Sequence, residues 1–208
     1  MDEENLIGRR DYRMPPRKVA VIEELATQFL GLLAPEVLQG APLDVLDLVD
    51  RRLQREEIDV QSATSLTLCE EWGGTSTAGR TGDRKLILLR EELFDALEDG
   101  GSNLHLARGT VVHEVGHAAM HVDFFRRRRA AGASGLLQRE ATIAMRTIEG
   151  SEWQAWCFGT FLIAPRASVI ERLAMPGGQN LASLAEYYGV SVSLMSNHLR
   201  RMNLRVSR

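Results

Sequence analysis

The chain has 208 residues, 44% of them apolar and 25% charged, which is ordinary for a protein burying one substantial core and argues against disorder. A net charge of −3 gives no overall basic field of the kind that marks a nucleic-acid binder. The start, MDEENLIGRRDYRMPPRK, has no apolar stretch resembling a signal peptide and no segment reaches membrane-spanning length, so a cytoplasmic protein is expected.

Residues 1–16 end in Met14-Pro15-Pro16 and read as a flexible N-terminal arm with no chemistry assigned to it. Val21, Ile22, Leu25, Phe29 and Leu32 form a helical stripe over about Lys18 to Leu33, and Val45, Leu46, Leu48, Val49 and Leu53 predict a second helix over about Leu43 to Gln54. Ser65–Glu70 and Lys85–Leu89 read as strands separated by the turn-rich stretch Gly73–Gly79 and Gly82-Asp83, which implies a small antiparallel sheet. A helix is expected from about Asn103 through His121, then an exposed loop or insertion from Arg126 to Gly135. A further helical run covers about Leu136 to Ile163, with a break possible at Gly150-Ser151 and a stop at Pro165. Met175-Pro176-Gly177-Gly178 is a linker signal, and the remaining residues look like two short helices around Tyr188-Gly189-Val190-Ser191. The domain reading is an arm over 1–16, a main domain over 17–175 and a C-terminal module over 179–208 packed on it. Cys69 and Cys157 lie far apart and neither belongs to a C-x-x-C pair, so two reduced, buried thiols are expected.

The chemistry is concentrated in His113-Glu114-Val115-Gly116-His117. Residues four apart share a helical face, so both imidazoles can point at one ion while Glu114 stands beside it as a general base, the geometry of a zinc hydrolase. Two histidines leave a catalytic zinc needing a third protein ligand, with a fourth position kept open. His121 is excluded, because positions 113, 117 and 121 climb about 12 Å along a rigid helix; it is expected beside the site or facing solvent. The position six residues after His117 is Asp123, not histidine, which disfavours a metzincin. Glu152 is the better third ligand, since Ala155 and Gly159 give its helix a face of small side chains, and Gly116 supplies a matching absence between the histidines. Spacing alone leaves Glu149 as a rival.

HEVGH followed by Glu152-x-x-Ala155-x-x-Phe158-Gly159-x-x-Leu162-Ile163-Ala164-Pro165 resembles the ImmA/IrrE family of zinc metallopeptidases. Arg108-Gly109-Thr110-Val111-Val112-His113-Glu114 resembles the family's lead into its metal helix, and His121 falls where members often carry a histidine. The family's second-helix pattern, laid on residues 152–165, makes Glu152 the ligand. Gln154 and Trp156 depart from it, standing where Glu and Asn are common, and His198 replaces the usual arginine in a tail, from Leu181 to Leu204, that resembles the family's helix-turn-helix-like end. The resemblance implies an α+β, zincin-like (gluzincin-type) domain with a C-terminal helix-turn-helix-like extension. It also implies a zinc endopeptidase that cuts a helix-turn-helix transcriptional repressor and so releases stress-response or mobile-element genes.

In that reading His113, His117 and Glu152 bind Zn2+, with Mn2+ or Fe2+ as other occupants, and Glu114 moves the proton during peptide hydrolysis. Tyr187, Tyr188, His198 or an arginine is the candidate oxyanion donor. The strand at Leu86–Leu89 is a candidate for aligning extended substrate. The alternative is a DNA-binding or adaptor protein with a structural or vestigial zinc site, encouraged by Arg200, Arg201, Arg205 and Arg208 in the C-terminal module and by the Arg126–Arg129 run. Against it, only Lys18 and Lys85 represent lysine, so arginine excess reads as codon bias, and burial of Leu199 and Leu204 against the main domain would make the module a packing unit. Trp153 and Trp156 flank the ligand and are expected mainly in the core.

Overall fold

The computed structural model describes residues 10–63, 85–130, 140–141, 145–175 and 180–206. In chain order these form β1 (Arg10–Asp11), α1 (Val19–Leu33), α2 (Pro35–Leu38), α3 (Val45–Asp47), β2 (Ile58–Ala63), β3 (Lys85–Arg90), α4 (Glu91–Asp99), α5 (Leu104–Met120) and α6 (Val122–Ala130). They continue with β4 (Glu140–Ala141), α7 (Ser151–Ile163), α8 (Arg166–Ala174), α9 (Leu181–Tyr188) and α10 (Val192–Arg201). The protein is therefore α+β and rich in helix. No helix of the described residues is long and apolar enough to cross a membrane.

Two helices organise the molecule because each is buried nearly all the way round. Val111, Val112, Val115, Ala118 and Met120 are inside on α5, as are Ala155, Cys157, Phe158, Phe161 and Leu162 on α7. A helix without a polar face must be surrounded. The two pack against each other; α1 covers the far side of α7, and α4 and β3 cover α5. Phe29 of α1 meets Phe158 edge to face with ring centroids 5.6 Å apart. At the end of α7, Pro165 starts α8 as well as stopping its predecessor. There Arg166 grips Glu23 of α1 through two hydrogen bonds of 2.7 and 2.8 Å.

The expected antiparallel sheet is corrected. β2 and β3 pair in parallel, Ile58 opposite Lys85 through Ala63 opposite Arg90, while the expected strand at Ser65–Glu70 lies outside the described residues. Parallel pairing needs a crossover of roughly a dozen residues or more, and residues 64–84 provide that length. The alternation of Ile58 and Val60 matches that of Ile87 and Leu89, which turn one face of the pair toward the core. Among the described residues, antiparallel pairing is confined to β1 with β4 and to a bridge between Arg13 and Gly150.

Three other expectations change. The second helix begins as α3 but continues as a π-helical turn over Leu48–Arg52 and a 3-10 turn over Leu53–Glu56, with Arg52 bonded to Asp47, Glu36 and the Leu33 carbonyl. The arm expected over 1–16 is held down from Asp11 onward: Asp11 and Met14 are buried, and Met14 N–H donates to the Glu149 carbonyl at 2.7 Å. The expected loop at Arg126 is helical through Ala130, and residues 131–139 lie outside the described residues.

Candidate metal centre

The helix expected over Asn103–His121 is α5, and it ends at Met120 with His121 as its C-cap. His113 and His117 lie one turn apart on the face toward α7, whose first turn carries Glu152. The helices can approach because each has a glycine at the crossing. A Cβ on Gly116 would lie 2.7 Å from the Ala155 carbonyl oxygen, and one on Gly159 would lie 2.6 Å from that of Val112. The pairing of Gly116 with the Ala155/Gly159 face, read from spacing, is thus a backbone-to-backbone contact.

One donor atom each from His113, His117 and Glu152 lies within 4.8 Å of the others. His113 Nε2 is 3.2 Å from Glu152 Oε2, His117 Nε2 is 3.3 Å from Glu152 Oε1, and the two Nε2 atoms are 3.1 Å apart. Ligands about 2.0–2.1 Å from a tetrahedral ion sit roughly 3.3 Å from one another, so these separations suit a single metal ion. The donor chemistry fits as well: two imidazole nitrogens and a carboxylate could hold a divalent metal ion. Glu149, the rival, is turned away, its carboxylate accepting from Arg146 Nε at 2.7 Å.

The electrostatics follow from burial. His113 is 7% exposed, and loss of water pulls its pKa down despite the Glu152 hydrogen bond. For His117 the pull of burial is outweighed by the Glu152 and Glu114 carboxylates, which raise it. Burial works against the Glu152 carboxylate too, but hydrogen bonds from both imidazoles hold it well below its usual range. Glu114, 5% exposed, is pushed up to about 8 by burial, and its Oε2 has no hydrogen-bond partner among the described residues. Its Oε1 stands 4.0 Å from His113 Nε2. The Glu152 side chain is 45% exposed, so the cluster is open on that side. Trp156 lies tilted over the His113 ring, with centroids 4.3 Å apart, and is half-buried rather than a core residue. Trp153 packs against the core.

The residues offered as oxyanion donors are engaged elsewhere. Tyr187 donates to the Gly40 carbonyl, Tyr188 pairs with Ser168, and His198 donates to the Ala164 carbonyl at the far end of α7, about 18 Å along the helix from Glu152. His105 is exposed, and Cys157 is a buried free thiol raised to about 11 by burial. Sequence reading missed Asp11, whose carboxylate accepts from Ser151 Oγ and from Glu152 N–H at 3.2 Å. It also missed Arg17, which donates to Gln154 at 3.0 Å. Both contacts join segments nearly 140 residues apart, and no local pattern signals them. No family model matches the chain, and neither a curated protein nor a solved structure matches it.

Proposed function

We propose that the protein is a cytoplasmic zinc-dependent endopeptidase with a zincin-like domain, related to the ImmA/IrrE family, and that it cleaves a helix-turn-helix repressor. The observation that carries the reading is the convergence of His113, His117 and Glu152 at tetrahedral spacing beside a buried Glu114 carboxyl with an unpartnered oxygen. His113, His117 and Glu152 would hold a divalent cation, which would supply Lewis acidity toward a scissile carbonyl and a positive charge favouring the carboxylate form of Glu114. Glu114 then accepts a proton from water at its free oxygen and passes it to the departing amine nitrogen. His113, His117 and Glu152 fix where that exchange occurs, and the exposed side of Glu152 is where an extended peptide enters. The family likeness rests on the motifs in both metal helices, and the repressor substrate on that likeness.

The test combines metal analysis of the purified protein with incubation alongside the helix-turn-helix repressor encoded nearest to its gene. Wild type and Glu114→Gln should carry equal zinc, while the variant loses about 10²–10⁴-fold in cleavage rate. Failure of the wild type to take up metal after reconstitution would remove the enzyme reading. Equal cleavage by both forms would remove Glu114 from the chemistry.

A further inference from the structure

Gln154 follows Glu152 by two residues on α7, is fully buried, and uses every hydrogen-bonding position of its amide. Its Nε2 donates to the carbonyls of Pro15 at 2.9 Å and Ile148 at 2.8 Å. Its Oε1 accepts from Arg17 Nη1 at 3.0 Å and faces His121 Nε2 at 3.3 Å. The amide cannot be turned over, because its oxygen would then face two carbonyl oxygens. Opposite, His121 is 1% exposed and its Nδ1 lies 3.0 Å from His117 Nδ1.

Only one tautomer of each neutral ring satisfies both contacts. A bare His121 Nε2 would set its lone pair against Gln154 Oε1. A doubly protonated His121 would place a buried cation on the acceptor already held by the Arg17 guanidinium. His121 therefore carries its proton on Nε2 and presents a lone pair at Nδ1. Two bare or two protonated nitrogens at 3.0 Å would repel, so His117 keeps a proton on Nδ1: the neutral ring has its lone pair on Nε2, the atom that converges with His113 and Glu152, and the charged ring gives a second proton from Nε2 to Glu152.

We propose that Gln154 and His121 are positioning residues that set the tautomer of His117, so that its Nε2 lone pair faces the metal-binding position. The inference rests on reading His113, His117 and Glu152 as metal ligands. It makes the segment around Pro15 and Arg17 part of the site, since that segment orients the Gln154 amide. The effect is preorganisation: with Nδ1–H held by His121, His117 ligates through Nε2 without ring rotation or proton transfer between its nitrogens. Among the described residues no equivalent constraint acts on His113, whose buried Nδ1 finds no hydrogen-bond partner there.

Nitrogen NMR of the metal-free wild type with labelled histidine reads the tautomers directly. The expected result is a proton on Nδ1 of His117 and on Nε2 of His121; a bare His117 Nδ1, with the ring's proton on Nε2 alone, would overturn the proposal. Zinc affinity, measured by competition with a chromogenic chelator, supplies the second readout. His121→Leu removes the acceptor and should weaken zinc binding about 10–100-fold. His121→Asn places its side-chain oxygen near the Nδ1 position and should recover most of that loss. Equal affinity for wild type and His121→Leu would overturn the proposal. The expected tautomers in a wild type without zinc affinity would instead sink the metal reading and leave the tautomer relay standing.

Discussion

Gly116 and Gly159 invert the usual rule for glycine in a helix. On an exposed helix, replacing either with alanine would gain about 1 kcal/mol. Here the added methyl would meet backbone oxygen at 2.7 or 2.6 Å on the facing helix, and a backbone carbonyl cannot rotate out of the way as a side chain can. Overpacking of that kind costs about 1–3 kcal/mol, so the clash wins. Gly159→Ala should therefore lower the urea midpoint and weaken zinc binding together, because parting α5 from α7 moves Glu152 away from both histidines; a higher midpoint would show that the helices separate freely. His198 gives a second test at this scale, well away from the metal ligands. Its Nε2–H donates to the Ala164 carbonyl at 2.7 Å, while Nδ1 is buried and has no hydrogen-bond partner among the described residues. Burial first, then the charges of Arg201 and Arg166, push its pKa down to about 3. The folded-state pKa is thus depressed below the unfolded value of about 6.5, so the stabilising contribution is complete above pH 6.5 and is lost as pH falls toward 3. One proton corresponds to about 1.4 kcal/mol per pH unit, or about 2 kcal/mol between pH 6.5 and 5. His198→Gln keeps an amide donor but cannot titrate. In metal-free protein its stability should fall less than that of wild type from pH 7 to 5, by about 2 kcal/mol, and identical losses would show that His198 protonates freely in the fold.

Among the elements, α7 depends on a residue from the other end of the chain. Its N-cap is Gly150, which has no side chain to satisfy the first-turn N–H groups, and Asp11 supplies the carboxylate instead. Any side chain at 150 would displace that carboxylate, since a Cβ there would lie 2.6 Å from Asp11 Oδ2. Asp11→Ala should cost about 1–2 kcal/mol through the lost cap. Because Glu152 is in that same turn, zinc affinity should fall about 10-fold in a chelator titration; unchanged affinity would mean that Glu152 is held by α5 alone. This dependence explains what could be read from sequence. α1, α5 and α7 were legible because an apolar pattern repeats over many residues, and the ligand trio because helical spacing and small residues together constrain it. β2 carries little signal because Ile58 and Val60 are its only strongly apolar positions, and a Gly-rich stretch between strand-like segments implies antiparallel pairing, whereas β3 pairs in parallel with β2. The roles of Asp11, in the arm over 1–16, and of Arg17, just beyond it, leave no local signal because their partners on α7 are contiguous with them only in space.

At the scale of the molecule, the C-terminal helices decide between an appended module and an integral part of the fold. Leu184, Ala185, Tyr188, Val190, Met195, Leu199 and Met202 all belong to the same core as α5 and α7. Arg108 of α5 ties the turn between α9 and α10 to the rest, donating to the carbonyls of Gly189, Tyr188 and Leu43 at 3.0–3.1 Å. Gly189 is required there twice over: its φ of +62° suits glycine, and a Cβ would lie 2.7 Å from Arg108 Nε. Removing α9 and α10 would expose the facing core and forfeit burial worth on the order of 10 kcal/mol. The whole stability of a domain this size is about 5–15 kcal/mol. A chain ending at residue 175 should therefore give no cooperative thermal transition by circular dichroism, and the isolated C-terminal segment should show little helix. A cooperative melt and retained zinc binding by residues 1–175 would instead make the C-terminal pair a separable module and return DNA binding to consideration. The apolar faces of α9 and α10 favour the first outcome, because they are already committed to the protein's own core.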